Sequence, residues 1–327
     1  MPVSVALAGP QGSGKTTLFD ALTRGRGADG VGMVDVPDER LDRLAAAVNP
    51  KKVVPAQIRL VDAPPGSPAQ RIAAAREADV VLLVLRCFGA DPDPAGDLDS
   101  ITLDMVVTDL ATVERRQEAL AREMRGGHKD AAVEAETLER AKAHLDAGLP
   151  LRTMELEPER RAHLHSIFAV SAKPAVIVAN VADPSSPPLT LAAGLPVLQL
   201  SAQLEKELSE LEPAEADEMR EGFGLRESGL DAVARAAWNA GGLITYFTAG
   251  EPEARAWTVE RDAPAPVAAG RIHSDFEKHF IRAEVTSVDE LVGAGSMEAL
   301  RAAGKLRVEG RDYPVQDGDV VFFRVGR

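Results

Sequence analysis

Short apolar runs alternate with helical spacings along the first two hundred residues. Val3, Val5, Leu7 and Ala8 form a run continuous enough for a buried parallel strand and too short for a helix. It breaks into Gly9-Pro10-Gln11-Gly12-Ser13-Gly14-Lys15-Thr16-Thr17, and a helical run over 18–22 follows at once. Gly25 to Gly32 reads as a flexible break. Pro37-Asp38-Glu39-Arg40 opens a helix through Leu41, Leu44 and Val48, since proline and acids suit a first turn. Gln57 to Val61 is a second strand that runs into Asp62-Ala63-Pro64-Pro65-Gly66, followed by a small helix over 69–77. Val80 to Leu85, Ala175 to Asn180 and Val197 to Ser201 supply three more strands. Strands alternating with helices predict a doubly wound α/β sheet.

A long charged segment over 101–168 interrupts this alternation. Leu110, Val113, Leu120 and Met124 recur at helical spacing, Gly126-Gly127 breaks the run, and a second helix passes through Val133, Leu138 and Leu145. Two helices about a glycine turn make an αα-hairpin. It reads as a projecting coiled-coil arm, with a plain pair of helices packed on the sheet as the alternative. A break over 222–229 and a short helix over 230–238 precede a change of texture at Leu243. Tyr246-Phe247, Ala256 to Val259, Phe280 to Val285 and Val320 to Phe323 are strand-like, and Asp317-Gly318-Asp319 supplies a turn. The expected organisation is a nucleotide-type α/β domain over 1–100 and 170–240, a helical insertion over 101–169, and a small β-grasp-like module over 241–327.

At 327 residues the chain is long enough for about two domains with proper cores. The 37 Lys plus Arg against 51 Asp plus Glu give a net charge of -14, which argues against nucleic-acid binding by bulk charge but leaves room for a local basic surface. The single cysteine, Cys87, excludes an intrachain disulfide and a thiolate metal cluster. The amino-terminal stretch lacks a signal-peptide pattern, and no run reaches the eighteen or so apolar residues of a membrane span. A cytoplasmic protein without membrane association is the expectation.

The chemistry concentrates at Gly9-x-x-x-x-Gly14-Lys15-Thr16, a full P-loop match set between an apolar strand and a helix. Small residues let successive backbone N–H groups converge on phosphates. Lys15 brings a point charge to the outer phosphates, and Thr16 a hydroxyl for magnesium. The helix that follows presents unpaired amides at its start. Asp62, ending the second strand, is a magnesium-holding acid or else a turn cap. Gly66 is spaced one residue too far from it for the usual nucleotide switch. Asn180-Val181-Ala182-Asp183 ends a strand where ligands gather in α/β sheets. Asn180 suits base or loop hydrogen bonds, and Asp183 either accepts from a base amino group or caps the turn before Pro184. Ser201-Ala202 is placed to line the base side.

Together these residues resemble the Obg-like ATPases of the YchF family, over nearly the whole chain. The resemblance is carried by Val84-Leu85-Arg86-Cys87-Phe88, the stretch from Asp109 to Glu114, Asn180 to Asp183 and Ser201 to Glu205. It is stronger in Leu243 to Gly250, Arg255 to Thr258, Ala268 to Glu277 and Gly310 to Asp319. It implies a P-loop GTPase-like sheet with a coiled-coil insertion and a carboxy-terminal TGS domain. It implies ATP with Mg2+, hydrolysis to ADP and phosphate, and association with the ribosome or its large subunit; a monomer is the separate expectation. It implies ATP over GTP, because an Asn-x-x-Glu motif, here closed by the shorter Asp183, replaces a guanine-reading motif that needs Lys at 181. On this reading Gly9 to Gly14 with Thr17 cradle phosphate, Lys15 and Asp62 serve the reaction, and Thr16 and Asp62 address the metal. Asn180, Val181, Ser201 and Ala202 line the base.

Two departures stand out. The family's first switch, with its magnesium-binding threonine, is missing between Arg24 and Val34. The glycine-rich lid after the strand acid is replaced by Asp62-Ala63-Pro64-Pro65-Gly66-Ser67, where proline removes donors. No water-positioning residue is evident, so a nucleotide-binding module without turnover, and a GTPase, stand as alternatives. A nucleotide kinase is disfavoured by the carboxy-terminal resemblance. Elsewhere, His273 and His279 near Asp275 and Glu277 read as structural before metal-binding, and His128 and His144 as solvated. Trp257, Phe276 and Phe280 read as core before base-stacking, and Cys87 as a core filler. Lys51-Lys52 and Arg115-Arg116 are candidate RNA contacts.

Overall fold

A computed structural model describes residues 2–63, 72–73, 75–125, 131–191 and 194–326. Twelve strands are described: β1 (Val3–Ala8), β2 (Val31–Val36), β3 (Val53–Val54), β4 (Ala56–Asp62), β5 (Val80–Cys87), β6 (Ala175–Val181), β7 (Val197–Leu200), β8 (Leu243–Ala249), β9 (Ala254–Glu260), β10 (Phe280–Ser287), β11 (Arg307–Glu309) and β12 (Asp319–Val325). They form two sheets, ordered β2-β4-β1-β5-β6-β7 and β11-β10-β12-β8-β9-β3. By its contacts the chain divides into two compact units, one of residues 3–33 and 59–233, the other of 1–2, 34–58 and 234–327.

In the first unit β1, β5, β6 and β7 run parallel. All seven residues of β6 and the first six of β5 are buried, as the apolar runs Ala175 to Ala179 and Val80 to Leu85 require of central strands. Ala6, Leu83, Leu85 and Ile177 pack with Met105 and Val170 from the insertion and its return. The helices of this unit are α1 (Lys15–Thr23), then α3 (Pro94–Arg125), α4 (Ala131–Asp146) and α5 (Pro158–Ser166) in the insertion, then α6 (Ala202–Ser209) and α7 (Pro213–Gly222); α8 (Gly229–Ala240) begins in it. Helix α2 (Glu39–Val48) lies in the other unit.

The two long helices of the insertion share a core through Val113, Leu120, Leu138, Ala141 and Leu145, so the expected hairpin partners are present. At 1.5 Å per residue the 32-residue α3 spans roughly 48 Å. The break at Gly126-Gly127 and His128 lie outside the described residues. Helix α3 starts seven residues before the expected boundary. Asp93 accepts from the Gly96 N–H at 2.9 Å, and Pro94 opens the helix, a start signal hidden in an acidic, glycine-bearing stretch that reads as loop.

Strand β2 also departs from expectation, since part of the supposed break over Gly25–Gly32 belongs to it. Its buried positions are Gly32, Val34 and Val36, and a glycine at the first of them gives little hydrophobic signal, so the strand forms because the sheet receives it. Its entry is short. Ala28 and Val31 exchange backbone hydrogen bonds, and the Asp62 N–H donates to the Gly30 carbonyl at 2.8 Å.

The second unit is a mixed sheet. β10 pairs antiparallel with β11 and β12, β8 antiparallel with β9, while β12 and β8 run parallel. The two-residue β3 adds to β9 in parallel, which brings residues 34–58 into this unit. Four short helices complete it: α9 (Ala265–Ile272), α10 (Ser274–Lys278), α11 (Val288–Ala294) and α12 (Met297–Ala302). Tyr246, Val259, Phe280, Val285 and Phe323 form its core with Ala268 and Ala269. The buried Tyr246 hydroxyl donates to the Ala268 carbonyl at 2.7 Å, and burial pushes its pKa up. Phe280 is in this core, with Trp257 and Phe276 packed against it. Arg40 joins α2 to the sheet, holding Asp38 and Asp317 at 2.7 Å each and lying over the Phe247 ring.

Several polar candidates find structural partners. His273 Nδ1 accepts from the Asp275 N–H and caps α10. Among the described residues no group of three or more His, Cys, Asp or Glu is placed to hold a metal. Lys51 and Lys52 pair with Glu251 and Glu253, and Arg116 with Glu123 and Glu134. Cys87 is half-buried, and burial pushes its thiol pKa up, the opposite of an activated thiolate. No described helix is long and apolar enough to cross a membrane.

Candidate nucleotide site

The loop over 9–14 joins the buried end of β1 to α1, and two of its glycines are fixed by contact. A Cβ at Gly9 would stand 2.3 Å from the Val84 carbonyl oxygen of β5. Gly14 has φ +90°, and a Cβ there would stand 2.1 Å from Asn180 Nδ2. Gln11 and Gly12 form the exposed bend, Pro10 is half-buried and Ser13 is buried. No side chain caps the start of α1, and its first turn carries no acid, which leaves the N-terminus suited to an anion.

Lys15 and Thr16 project from that first turn. Lys15 Nζ donates to the Gly9 and Pro10 carbonyls at 3.0 and 2.7 Å. Thr16 Oγ1 donates to Asp62 Oδ2 at 2.8 Å. Asp62 ends β4 and is buried, and its Oδ1 has no hydrogen-bond partner among the described residues. Burial raises the Asp62 pKa, against the Thr16 hydrogen bond and the Lys15 charge, which lower it. A buried, unpartnered carboxylate oxygen beside a threonine hydroxyl is a hard oxygen donor set, and it fits a magnesium ion.

On the other side of the loop, Asn180 ties three segments together. Its Nδ2 donates to the Ser13 carbonyl at 2.9 Å, and its Oδ1 accepts from the Ala202 N–H at 2.9 Å. Ser201 caps α6 by accepting from the Leu204 N–H at 3.3 Å. A cleft of about 560 Å³ opens here, within the first unit. Of the expected residues, Gly14, Thr17, Asn180, Val181, Ser201 and Ala202 line it. Asp183 does not, because its Oδ1 accepts from the Ser185 N–H at 2.9 Å and the Ser185 hydroxyl at 2.7 Å. That oxygen serves a local turn, as the capping alternative for Asp183 expects.

Two aromatic walls, Phe88 and Phe223, also line the cleft. Phe88 ends a motif quoted for its resemblance. Phe223 follows α7 and carries no sequence signal, since its place depends on Leu225 and Ala216 packing against Leu204 and Leu208. Gly66 and the prolines 64 and 65 lie outside the described residues.

A parallel sheet whose first strand turns through a glycine loop into a lysine- and threonine-bearing helix, with a strand-end aspartate against that threonine, defines a P-loop nucleotide-binding protein of the GTPase-like kind. A family model described as "YchF-GTPase_C: Protein of unknown function (DUF933)" matches residues 243–326. The Ribosome-binding ATPase YchF of Bacillus subtilis is 36% identical over 364 aligned residues, covering 99% of each chain. The protein of the same name from Escherichia coli O157:H7 is 36% identical over 347, covering 95% of each. The solved Schizosaccharomyces pombe YchF GTPase superimposes with a TM-score of 0.88 at 26% identity, over 98% of this chain and 97% of that one. The chain belongs to the YchF family. Its 327 residues align over 364 positions with the Bacillus relative, so it matches end to end while lacking internal stretches.

Proposed function

We propose that this chain binds ATP with Mg2+ at the 9–17 loop and that the bound nucleotide controls its association with the ribosome. The observation that carries the reading is the Thr16–Asp62 pair, with the unpartnered Asp62 Oδ1, beside Lys15. The relatives named ribosome-binding ATPases support the choice of nucleotide and partner. Lys15 would leave the Gly9 and Pro10 carbonyls and place its charge on the outer phosphates. Thr16 and Asp62 would hold the metal, which supplies positive charge against the triphosphate. The uncapped start of α1 and the amides of Gly9 to Gly14 would cradle the phosphates. Val181 and Ala202, with the aromatic walls, would receive the adenine, and Val181 offers guanine no lysine.

A second reading, binding without useful turnover, is favoured by one feature. The connector from α1 to β2 is Arg24-Gly25-Arg26-Gly27-Ala28-Asp29-Gly30, without a hydroxyl to complete a metal shell. The proposed hydrolysis is therefore slow in the isolated chain and dependent on the partner for water positioning and charge stabilisation. Calorimetric titration with ATP and GTP, followed by phosphate-release assays with and without ribosomes, tests both readings. Tight ATP binding with ribosome-stimulated release supports the first. Binding without release under either condition selects the second, and no binding rejects both.

The environment of Asp62 adds a pH signature. Its carboxyl takes up a proton above the ordinary aspartate range near 3.9. Holding a cation requires the charged form. The enhancement of ATP binding by magnesium is expected to fall as the solution is acidified toward that raised pKa, and Asp62→Asn is expected to remove it at every pH. ATP titrations with and without magnesium from pH 8 to pH 5 read this directly. An enhancement retained in D62N would exclude Asp62 from the metal site.

A further inference from the structure

Polar side chains lining the cleft beside Asn180 come from Thr17, Asn180, Ser201, Gln203 and Glu207. Two of these are engaged within the protein. Asn180 holds the Ser13 carbonyl and the Ala202 N–H, and the Ser201 hydroxyl accepts from the Leu204 N–H. Asn180 thereby also occupies the Ala202 N–H, a backbone donor that a base carbonyl would otherwise meet. Thr17 lies in the first turn of α1, on the phosphate side. Gln203 and Glu207 remain for the base. They stand four residues apart on one face of α6, and both are exposed.

Gln203 Nε2 donates to Glu207 Oε1 at 2.7 Å. A carboxylate only accepts, so this contact fixes which end of the amide is nitrogen. Nε2 keeps a second N–H, and Oε1 keeps its lone pairs. A donor and an acceptor side by side in one plane match an adenine edge, with the N6 amino group donating to Oε1 and N7 accepting from Nε2. Guanine presents two acceptors at that edge, O6 and N7, so its O6 would face Gln203 Oε1 with no proton between them. Turning the amide over does not relieve this, because Oε1 would then face the Glu207 carboxylate. Leu204 and Phe223 line the same cleft and supply apolar surface for the ring faces, while the polar pair addresses the ring edge.

We propose that Gln203 selects adenine over guanine in this cleft, its amide pairing with N6 and N7 of the base. Glu207 is a positioning residue that acts through Gln203 by holding the amide in the reading orientation. Both roles rest on the ATP reading proposed above.

The test is calorimetric titration of the full chain with ATP, GTP and 7-deaza-ATP at fixed magnesium. Wild type is expected to prefer ATP to GTP. Gln203→Ala is expected to lower that preference about 5- to 150-fold, from the ~1–3 kcal/mol of a bidentate base contact. Gln203→Arg presents two donors, which suit O6 and N7, and is expected to move the preference toward GTP. A gain of GTP affinity cannot come from a damaged fold. 7-Deaza-ATP lacks the N7 acceptor and is expected to bind wild type about 2- to 12-fold more weakly than ATP, from the ~0.5–1.5 kcal/mol of one hydrogen bond. Q203A is expected to bind the two alike. Glu207→Gln, which can donate as well as accept, frees the amide to turn over. It is expected to lower the ATP preference in wild type and to change nothing in Q203A.

An ATP preference in Q203A equal to that of wild type would overturn the proposal, as would equal binding of ATP and GTP by wild type. So would a loss in Q203A that is the same for every nucleotide, which would make Gln203 a support of the cleft. Binding of 7-deaza-ATP as tight as ATP would overturn the N7 contact. If wild type binds ATP and Q203A discriminates unchanged, the ATP reading stands and this inference alone fails. If wild type binds no nucleotide, both fail.

Discussion

Lys15→Ala is expected to weaken ATP binding on the order of 100-fold or more, and Gly14→Ala to bring it below detection. The lysine effect is that of removing one partner from a desolvated charge pair, typically about 2–5 kcal/mol. The glycine effect is steric. Position 14 requires φ +90°, and the added Cβ would meet Asn180 Nδ2 at 2.1 Å, so the loop must shift at the point where its amides converge. Calorimetric titration with ATP and magnesium measures both, with thermal unfolding alongside to show an intact fold. Wild-type affinity in K15A would remove the loop from the nucleotide site.

Asp109→Ala is expected to cost about 3–5 kcal/mol of stability without touching the cleft. Asp109 is fully buried on α3 and accepts from the Val170 N–H at 2.9 Å and the Ser171 N–H at 2.6 Å. It thereby fastens the insertion to the turn that leads into β6. The half-buried Arg152 donates its backbone N–H to the Ser171 carbonyl at 2.8 Å; partial burial lowers its pKa, and the Asp109 carboxylate opposes that shift. Alanine would leave two buried amides unpaired and the guanidinium with less compensating charge. Urea denaturation of the two proteins gives the difference, and a loss below about 1 kcal/mol would show that solvent or rearranged groups replace the acid.

The central sheet and the phosphate loop are both legible in the sequence because their signals are local. β5 and β6 open on unbroken apolar runs, and the loop is a contiguous motif with a strand before it and a helix after it. The edges are less legible. Gly32 dilutes the pattern of β2, and Asp93-Pro94 marks the start of α3 in a stretch that looks like loop. The short helices after Ser201 and Ala265 lack the length for a clear period, and packing defines them. The site divides in the same way. Lys15, Thr16 and Asp62 follow from motif and strand end. The engagement of Asn180 with Ser13 and Ala202 spans segments far apart in the chain, and Phe223 is placed by the α6–α7 contact. The type of Asp183 suggests a base acceptor, but Ser185, two residues on, offers its carboxylate nearer donors.

The Asn180 side chain is more than a wall of the cleft. It fills the space that Gly14 leaves, supports the Ser13 carbonyl and fixes the first amide of α6. Three stretches of sequence thus form one energetic unit, and their substitutions will not add. Once Asn180 is lost, the clash of a side chain at Gly14 is relieved, while its φ of +90° still disfavours one. A side chain at 14 avoids the clash only with a smaller residue at 180. Positions 14 and 180 are therefore locked in epistasis, and an evolutionary path that alters the loop must alter the distant strand end with it.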